Sequence, residues 1–250
     1  MQGFDGAGHL ELVRLSGVHK YYPGGATGVN ALHDIHFGLA RGEMLAICGQ
    51  SGSGKTALLN IVGLLEPTTG GTVVLDSLLV ARLSEQARVD LRTELIGYVF
   101  QNVCLIPMLT ALENVLLPLQ LRRNLQRDKL DAAQRRAGEL LTGLGLAAQG
   151  GHLPSRLDAS QIQRVAVARA LIGKPKLVVA DEPLSRQDPG CARMITDLFA
   201  QEQRRHGTAV LITTRDQRHI SRATRTLQLA EGRLIQTASA AARTTLRVHL

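Results

Sequence analysis

A glycine-rich segment between an apolar strand and an apolar helix constrains the fold of this chain more than any other feature. Gly49 to Thr56 reads GQSGSGKT and fits the pattern G-x-x-x-x-G-K-[ST]. Met44 to Cys48 before it is typical of a strand, and Thr56 to Leu65 after it is typical of a helix. Alternation of strands and helices around such a turn predicts an α/β domain with a mostly parallel, covered sheet.

The residue types of this segment suit a phosphate-binding loop. Glycines let the backbone fold around phosphate oxygens without Cβ clashes, and the loop N–H groups and the helix N-terminus then face the anion. Lys55 adds a positive charge on the β- and γ-phosphates, and the Thr56 hydroxyl is a candidate Mg²⁺ ligand. A glycine-rich turn before a core helix is the alternative. The predicted phosphate-binding residues are Gly49, Gln50, Ser51, Gly52, Ser53, Gly54, Lys55 and Thr56.

Two adjacent carboxylates follow the apolar run Leu177 to Ala180. Ligands gather at the carboxyl ends of strands in an open parallel sheet. Asp181 is therefore a candidate Mg²⁺ ligand, directly or through water, and Glu182 is a candidate to polarise the attacking water. A surface turn is the alternative for an Asp-Glu pair alone, but the phosphate loop earlier in the chain favours a second acidic site.

Hydrophobic periodicity divides the rest of the chain into short strands and helices. Leu10 to Leu15 alternates like an edge strand, and Thr72 to Val80 has the pattern of one strand. Ser84 is placed to cap a short helix whose solvent-exposed face carries Asp90 and Glu94. Further strands are predicted at Ala31 to Leu39, Ile96 to Phe100, Ala209 to Thr213, Thr226 to Leu229 and Arg233 to Gln236, and helices within Leu109 to Leu146 and at Ala166 to Ile172.

Composition narrows the classes of protein. The 250 residues suffice for one α/β domain with a full core, and no apolar stretch approaches the roughly 18 residues of a membrane-spanning helix. The N-terminal segment lacks the apolar region of a secretory signal. Three scattered cysteines without metal-type spacing indicate reduced thiols. The net charge of +8 is carried without a long basic run, and aromatic residues are scarce, so no nucleic acid partner is expected.

With both sites defined, the chain resembles the ATPases of ABC transporters from about Leu10 to Ile235. Within that family it is most similar to the subfamily of lipoprotein release and macrolide-type export (LolD/MacB-like), with the cell-division cassette as a further relative. The matching stretches are KYYP at 20–23, ALHDI at 31–35, YVFQ at 98–101 and LTALENV at 109–115.

The resemblance implies a P-loop NTPase core with a mostly parallel sheet, an antiparallel β subdomain and an inserted α-helical subdomain. A single ABC ATPase domain would span 1–250. Its core and β subdomain would lie at about 10–100 and 172–236, its helical subdomain at about 102–171, and a loose tail at 237–250.

The resemblance also assigns roles to single residues. Tyr22 matches the aromatic residue that stacks on adenine, and Tyr21 is the alternative. Gln101 matches the loop glutamine that contacts Mg²⁺ and reports to the permease. Asp188 matches an acidic residue at the interface between the two subunits of the dimer.

The family signature Leu-Ser-Gly-Gly-Gln departs from its usual sequence here. In this family each signature segment caps the γ-phosphate bound by the partner subunit, so the matching residues are expected to contact nucleotide. Asp158 places a carboxylate there, and two unit charges ~4 Å apart in an effective dielectric of 20 repel by roughly 4 kcal/mol before relaxation. Ser160 offers a hydroxyl only from a shifted position. The segment is Leu157, Asp158, Ala159, Ser160 and Gln161.

Two further positions depart from the family. Arg215 stands where the family has its switch histidine; it can hold a phosphate through a fixed charge and five donors, but it cannot act as a neutral imidazole. Ala57 follows Thr56 where a second hydroxyl residue is usual near the α-phosphate, which removes one contact.

The resemblance implies an ATP-binding, ATP-hydrolysing cytoplasmic subunit on the inner face of the cell membrane. It would energise an integral membrane permease for export or lipoprotein handling, as a homodimer or as a heterodimer with another cassette. Slow turnover of the isolated chain is expected. The alternative is a catalytically degenerate ATP-binding subunit with a structural or regulatory role. Val103 to Leu109 is expected to supply apolar surface to the permease, or else to belong to the core.

Overall fold

A computed structural model describes residues 11–24, 28–122, 130–185, 187–216 and 222–235 of the chain. Within these ranges it contains six α-helices and ten strands. In chain order they are β1 (Glu11–Tyr22), β2 (Val29–Ala40), β3 (Met44–Cys48), α1 (Lys55–Val62), β4 (Gly70–Leu75), β5 (Leu78–Leu79), α2 (Glu85–Leu95), β6 (Ile96–Val99), α3 (Ala111–Gln120), α4 (Leu130–Gly143), α5 (Ala159–Leu171), β7 (Leu177–Asp181), α6 (Pro189–His206), β8 (Ala209–Thr214), β9 (Arg225–Ala230) and β10 (Arg233–Ile235).

The larger sheet has six strands in the order β10-β9-β3-β8-β7-β6, and every neighbouring pair is parallel except β9 with β10. Successive side chains of a strand point to opposite faces. Val178 and Ala180 of β7 accordingly join the core formed with α3 to α6, whereas Leu177 and Val179 join the core formed with α1 and the other sheet. Both faces are covered, which confirms the predicted mostly parallel sheet.

The smaller sheet is antiparallel and has the order β2-β1-β4-β5. The prediction of an edge strand at Leu10 to Leu15 is wrong for the described part of that segment, because β1 pairs with β2 on one side and with β4 on the other. Thr72 to Val80 is also more than one strand. Asp76 and Ser77 have positive φ angles of 51° and 68° and turn the chain between β4 and β5.

Three helices, α3 to α5, lie between β6 and β7 in the chain, where the inserted helical subdomain was expected. Capping boxes begin two of them: Thr110 with Glu113 at α3, and Asp158 with Gln161 at α5. The apolar faces of these helices pack into one core. The boundaries proposed for the subdomains remain predictions.

Helix α6 has no counterpart among the predicted elements. Its start and stop residues are conventional: Asp188 accepts a hydrogen bond from the N–H of Cys191, Pro189 occupies the first turn, and Gly207 ends the helix with a φ of 66°. The predicted Gln236 end of the last strand and the tail at 237–250 lie outside the described residues. No helix in the described ranges is long and apolar enough to cross a bilayer.

Candidate active site

The glycine-rich loop joins β3 to α1 at the carboxyl end of a central strand of the larger sheet. Gly54 has a φ of 101°, and a Cβ atom there would lie 2.5 Å from the carbonyl oxygen of Ala31. A Cβ atom at Gly49 would lie 2.4 Å from the carbonyl oxygen of Leu229. Glycine is therefore required at both positions because neighbouring backbone approaches too closely for a side chain.

Three features of the loop suit an anion. The N-terminus of α1 has no side-chain cap, so its first N–H groups are not satisfied by a capping side chain. The Ser53 hydroxyl is buried and has no hydrogen-bond partner within the described residues. Lys55 Nζ points into the loop and donates to the carbonyl oxygens of Gly49 and Gln50, both at 2.8 Å. Burial lowers the pKa of Lys55, although nearby Glu182 opposes this shift.

The first carboxylate of the acidic pair is held by two threonines. Asp181 ends β7, where its Oδ2 accepts a hydrogen bond from Thr56 Oγ1 at 2.8 Å and its Oδ1 accepts one from Thr213 Oγ1 at 2.6 Å. Thr213 Oγ1 also accepts a hydrogen bond from the N–H of Glu182 at 3.1 Å. Sequence reasoning missed Thr213 as a site residue, although a hydroxyl at the end of an otherwise apolar strand was the available signal.

The second carboxylate occupies a strained position. Glu182 has a φ of 49° and is 5% exposed, so its side chain is aimed inward from a backbone conformation that favours glycine. Its Oε1 accepts a hydrogen bond from Arg215 Nε at 3.1 Å and lies 3.7 Å from Lys55 Nζ. The carboxylate is therefore flanked by two cations.

Residues of the loop, the acidic pair and two further segments line one cavity of about 210 Å³. An adjoining cavity of about 360 Å³ has Gly49, Gln50, Ser51 and Arg215 in its wall. Tyr22 and the signature segment line neither cavity. The predicted site residues that meet in the first cavity are Ser51, Gly52, Gly54, Lys55, Thr56, Ala57, Gln101, Asp181, Glu182 and Arg215.

The two tyrosines of the predicted base site differ in their surroundings. Tyr22 is half-buried, and its hydroxyl donates to Glu66 Oε2 at 2.7 Å. Burial, followed by the hydrogen bond and the charge of Glu66, raises the pKa of the Tyr22 phenol. Tyr21 is 44% exposed. Both rings therefore reach the surface of the protein at the end of β1, and the Tyr22 ring is fixed by a polar partner.

The signature segment begins α5. Asp158 is exposed, and its carboxylate accepts a hydrogen bond from the N–H of Gln161 at 2.8 Å. Ala159 is exposed as well. Ser160 Oγ donates to Gln187 Oε1 at 2.7 Å, so its proton is used within the subunit. Asp158 thus has a local structural use as a helix cap, whatever it contacts outside the chain.

The oxygen atoms in the cavity fit a hard divalent cation. Mg²⁺ in proteins usually takes one or two carboxylates together with water and substrate phosphates. The Thr56 hydroxyl, the Asp181 carboxylate and the Gln101 amide lie around the same cavity. Within the described residues no group of three or more His, Cys, Asp or Glu side chains could hold a metal ion.

Comparison with known proteins identifies the family. The sequence profile described as ABC transporter matches residues 32–185. The lipoprotein-releasing system ATP-binding protein LolD of Bordetella avium (strain 197N) is 41% identical over 223 residues, which are 89% of this chain and 95% of that protein. LolD of Bordetella pertussis (strain Tohama I) is 42% identical over 215 residues, which are 86% of this chain and 91% of that protein.

Solved structures give the same result. An ATP-binding cassette in a dimeric post-hydrolysis state with ADP and Pi has a TM-score of 0.84 and 34% identity, covering 90% of this chain and 97% of that one. A dimeric bacterial ABC transporter cassette has a TM-score of 0.83 and 33% identity over the same shares of the two chains. These relatives support ATP hydrolysis and give no support to the degenerate alternative. The chain belongs to the ABC transporter family, as an ATP-binding and ATP-hydrolysing cassette of the LolD/MacB type.

Proposed function

We propose that this chain uses Mg-ATP to drive an integral membrane permease that handles lipoproteins or a related exported substrate. The observation that carries the proposal is the cavity in which the phosphate loop meets Gln101, Asp181 and Glu182. Similarity to proteins named as ATP-binding components of a lipoprotein-releasing system supports the class of substrate.

The charged and polar side chains of the cavity would have separate tasks in phosphoryl transfer to water. Lys55 neutralises the β- and γ-phosphates, and Thr56, Gln101 and Asp181 would hold Mg²⁺, which neutralises phosphate charge when bound. Both oxygens of Asp181 already accept hydrogen bonds from threonines. Within the described residues Glu182 contacts Arg215 and Lys55 through Oε1, so its Oε2 is the oxygen that would orient a water molecule toward the γ-phosphorus and accept its proton.

Arg215 supplies a permanent positive charge at the place of the family histidine. In the structure its Nε contacts Glu182, while its side chain remains 55% exposed. A guanidinium has five donors, so Arg215 can keep Glu182 oriented through one edge and contact a terminal phosphate through another. Tyr22 would stack on the base, and Ala57 contributes only backbone near the α-phosphate. Tyr21 remains the alternative stacking residue.

The segment Val103 to Leu109 offers a surface for the permease. Asn114 is fully buried, accepts from the N–H of Ile106 at 2.8 Å and donates to the carbonyl oxygens of Ile106 and Leu109. Leu105 is buried in the core, but Ile106 is 39% and Met108 86% exposed. A rigidly held segment with exposed apolar side chains next to Gln101 suits a cytoplasmic helix of a permease, which would place the chain on the inner face of the membrane.

A second cassette completes the site in this proposal. The signature residues Asp158, Ala159, Ser160 and Gln161 would face the nucleotide held by the partner, and the dimeric state of the related cassettes supports this. The partner is a second copy of this chain or another cassette. Because Asp158 brings a negative charge toward an anion, slow basal turnover is expected.

The test is ATP hydrolysis by the purified chain, alone and reconstituted with a candidate permease from the same genome. We expect a low basal rate that rises with the permease and disappears in Glu182→Gln. A permease that never changes the rate, while the chain still binds ATP, would contradict the proposed coupling.

A further inference from the structure

A chain of polar side chains runs from Tyr22 into the body of the protein. Tyr22 Oη donates to Glu66 Oε2 at 2.7 Å, Asn60 Nδ2 donates to Glu66 Oε1 at 2.8 Å, and Tyr98 Oη donates to Asn60 Oδ1 at 2.8 Å. Lys20 Nζ lies 2.9 Å from Glu66 Oε2 and donates to the carbonyl oxygen of Pro67 at 2.9 Å. We call these five residues, Lys20, Tyr22, Asn60, Glu66 and Tyr98, the polar chain.

The polar chain connects the two sheets through the helix of the phosphate loop. Tyr22 ends β1 of the antiparallel sheet, and Tyr98 lies in β6 of the larger sheet. Asn60 lies between them in α1, the helix that begins at Lys55. The position of the Tyr22 ring is therefore tied by two hydrogen bonds, through Glu66, to the helix that carries the phosphate-binding lysine.

Both ends of the polar chain are held in place. Lys20 Nζ lies 4.8 Å from the centroid of the Tyr22 ring, so one face of this ring is already covered and a base can stack only on the other. At the far end, the Tyr98 ring stacks on Phe100 with a centroid distance of 4.1 Å. A Cβ atom at Gly63 would lie 2.5 Å from Tyr98 Cε2, so the ring packs directly against the chain at the end of α1.

The charge on Glu66 suits the centre of such a chain. Its burial opposes ionisation more than any other single influence, yet hydrogen bonds from Tyr22, Lys20 and Asn60 together hold its pKa below the usual range. Burial, followed by the hydrogen bond from Tyr22 to Glu66 and by the charge of Glu66, raises the pKa of the Tyr22 phenol, which therefore stays protonated and able to donate. No other use of these side chains is evident in the phosphate cavity, whose lining contains none of them.

We propose that Glu66, Asn60 and Tyr98 are positioning residues that fix the Tyr22 ring relative to the phosphate loop, so that the site selects a triphosphate that carries a base. The inference rests on the proposed function, in which Tyr22 stacks on the base. It assigns to Tyr98, on the opposite sheet, an influence on base recognition that acts only through Asn60 and Glu66.

The experiment compares two ligands in calorimetry: Mg-ATP, and Mg-tripolyphosphate, which has the phosphates without a base. Tyr22→Phe and Tyr98→Phe each remove one hydroxyl and keep the ring. We expect each variant to bind Mg-ATP about threefold or more weakly and to bind tripolyphosphate as the wild type does, with the double variant no weaker than Tyr22→Phe alone. Thr196→Val, which removes a hydroxyl on α6, is the control and should change neither affinity.

Several results would overturn the inference. They are an unchanged Mg-ATP affinity in Tyr98→Phe, an equal loss for both ligands, or effects of the two substitutions that multiply in the double variant. Thermal unfolding of each variant identifies loss of fold, and Glu66→Gln, which keeps the size of the side chain, provides a second test of the same base-specific loss. If the wild type binds tripolyphosphate as tightly as Mg-ATP, the proposed stacking of the base on Tyr22 is wrong, whereas the assignment of the phosphate-binding loop still holds. If it binds neither, the proposed function itself fails.

Discussion

Arg215 Nε and Lys55 Nζ approach the same carboxylate oxygen, Oε1 of Glu182, at 3.1 Å and 3.7 Å. The carboxylate thus lies between the two cations that we propose to contact a terminal phosphate. If a terminal phosphate takes this space, the Glu182 carboxylate can keep only one of its two cationic partners. The side chain of Arg215 is exposed, so it is better placed than the buried Lys55 to stay with Glu182.

Replacement of Arg215 tests this pairing. Arg215→Ala should lower kcat about tenfold or more, because Glu182 loses the donor that orients it, and should leave the affinity for Mg-ATP within about threefold. Arg215→Lys keeps the charge but not the planar guanidinium, so its kcat should lie between those of the wild type and Arg215→Ala. Steady-state kinetics with separate kcat and KM values measure this. A large rise in KM at constant kcat would show that Arg215 contributes to phosphate binding alone and does not orient Glu182.

Replacement of Glu182 separates binding from hydrolysis. Glu182→Gln keeps the size of the side chain but cannot accept the proton of water, so hydrolysis should fall by about a hundredfold or more while Mg-ATP still binds. Glu139→Gln, at an exposed position on α4, is the matched control and should hydrolyse ATP at the wild-type rate. Residual activity near the wild-type rate in Glu182→Gln would move the catalytic role to another residue.

Restoration of the family signature should accelerate turnover. Asp158→Ser combined with Ala159→Gly and Ser160→Gly removes the carboxylate and the two Cβ atoms, and we expect at least about a tenfold gain in kcat, since even part of a ~4 kcal/mol repulsion is large. Serine caps a helix about as well as aspartate, so the start of α5 should hold. A cooperative thermal unfolding transition in both proteins is the check on folding, since the two glycines and the lost hydrogen bond from Ser160 to Gln187 lower stability by themselves. No gain, or a loss, would mean that the departures in this segment do not limit the rate.

The exposed apolar segment next to Gln101 provides a test of permease docking. Ile106→Glu and Met108→Glu place charges on the proposed contact surface, and should abolish co-purification with the permease and its stimulation of hydrolysis, with ATP binding retained. Leu78→Glu is the control, since Leu78 is 44% exposed on β5 in the other sheet. Co-purification that survives both charge insertions would place the permease elsewhere.

The pKa of Glu66 predicts a specific acid sensitivity. Its pKa is held below the ordinary value in the folded protein, so its ionised form adds stability above the unfolded-state pKa of about 4.3, and this contribution is lost as the pH falls through the folded-state value. Denaturant unfolding should therefore show wild type more stable than Glu66→Gln at pH 7, with the difference shrinking at about pH 3. A difference independent of pH would contradict this assignment.

The sequence predicted the elements that carry strong local signals. The apolar runs that became β3 and β7 are buried at every position, and the GKT turn between strand and helix lies where its pattern requires. The position of the edge strand was missed because pairing partners are distant in sequence: β1 alternates like an edge strand, yet lies between β2 and β4. Alternation reports that one face is buried, not how many neighbours a strand has.

The residues of the candidate site could likewise be predicted only in part from the sequence. Lys55, Asp181 and Glu182 were identified because their spacing from apolar segments is visible in the sequence. Thr213 and Glu66 were not identified, because their roles depend on contacts with Asp181, Tyr22 and Asn60 that only the folded chain creates. The local use of Asp158 as a helix cap likewise required the structure.

Calorimetric titration of the chain with Mg-ATP, beside the Lys55→Ala variant, tests the central claim most directly. The buried ammonium inside the loop should make binding saturable in the wild type and reduce it by about a hundredfold or more in the variant, which should keep the wild-type unfolding temperature within a few degrees. Equal binding by a folded Lys55→Ala variant, or no heat of binding from the wild type, would contradict the assignment of this loop as the triphosphate site.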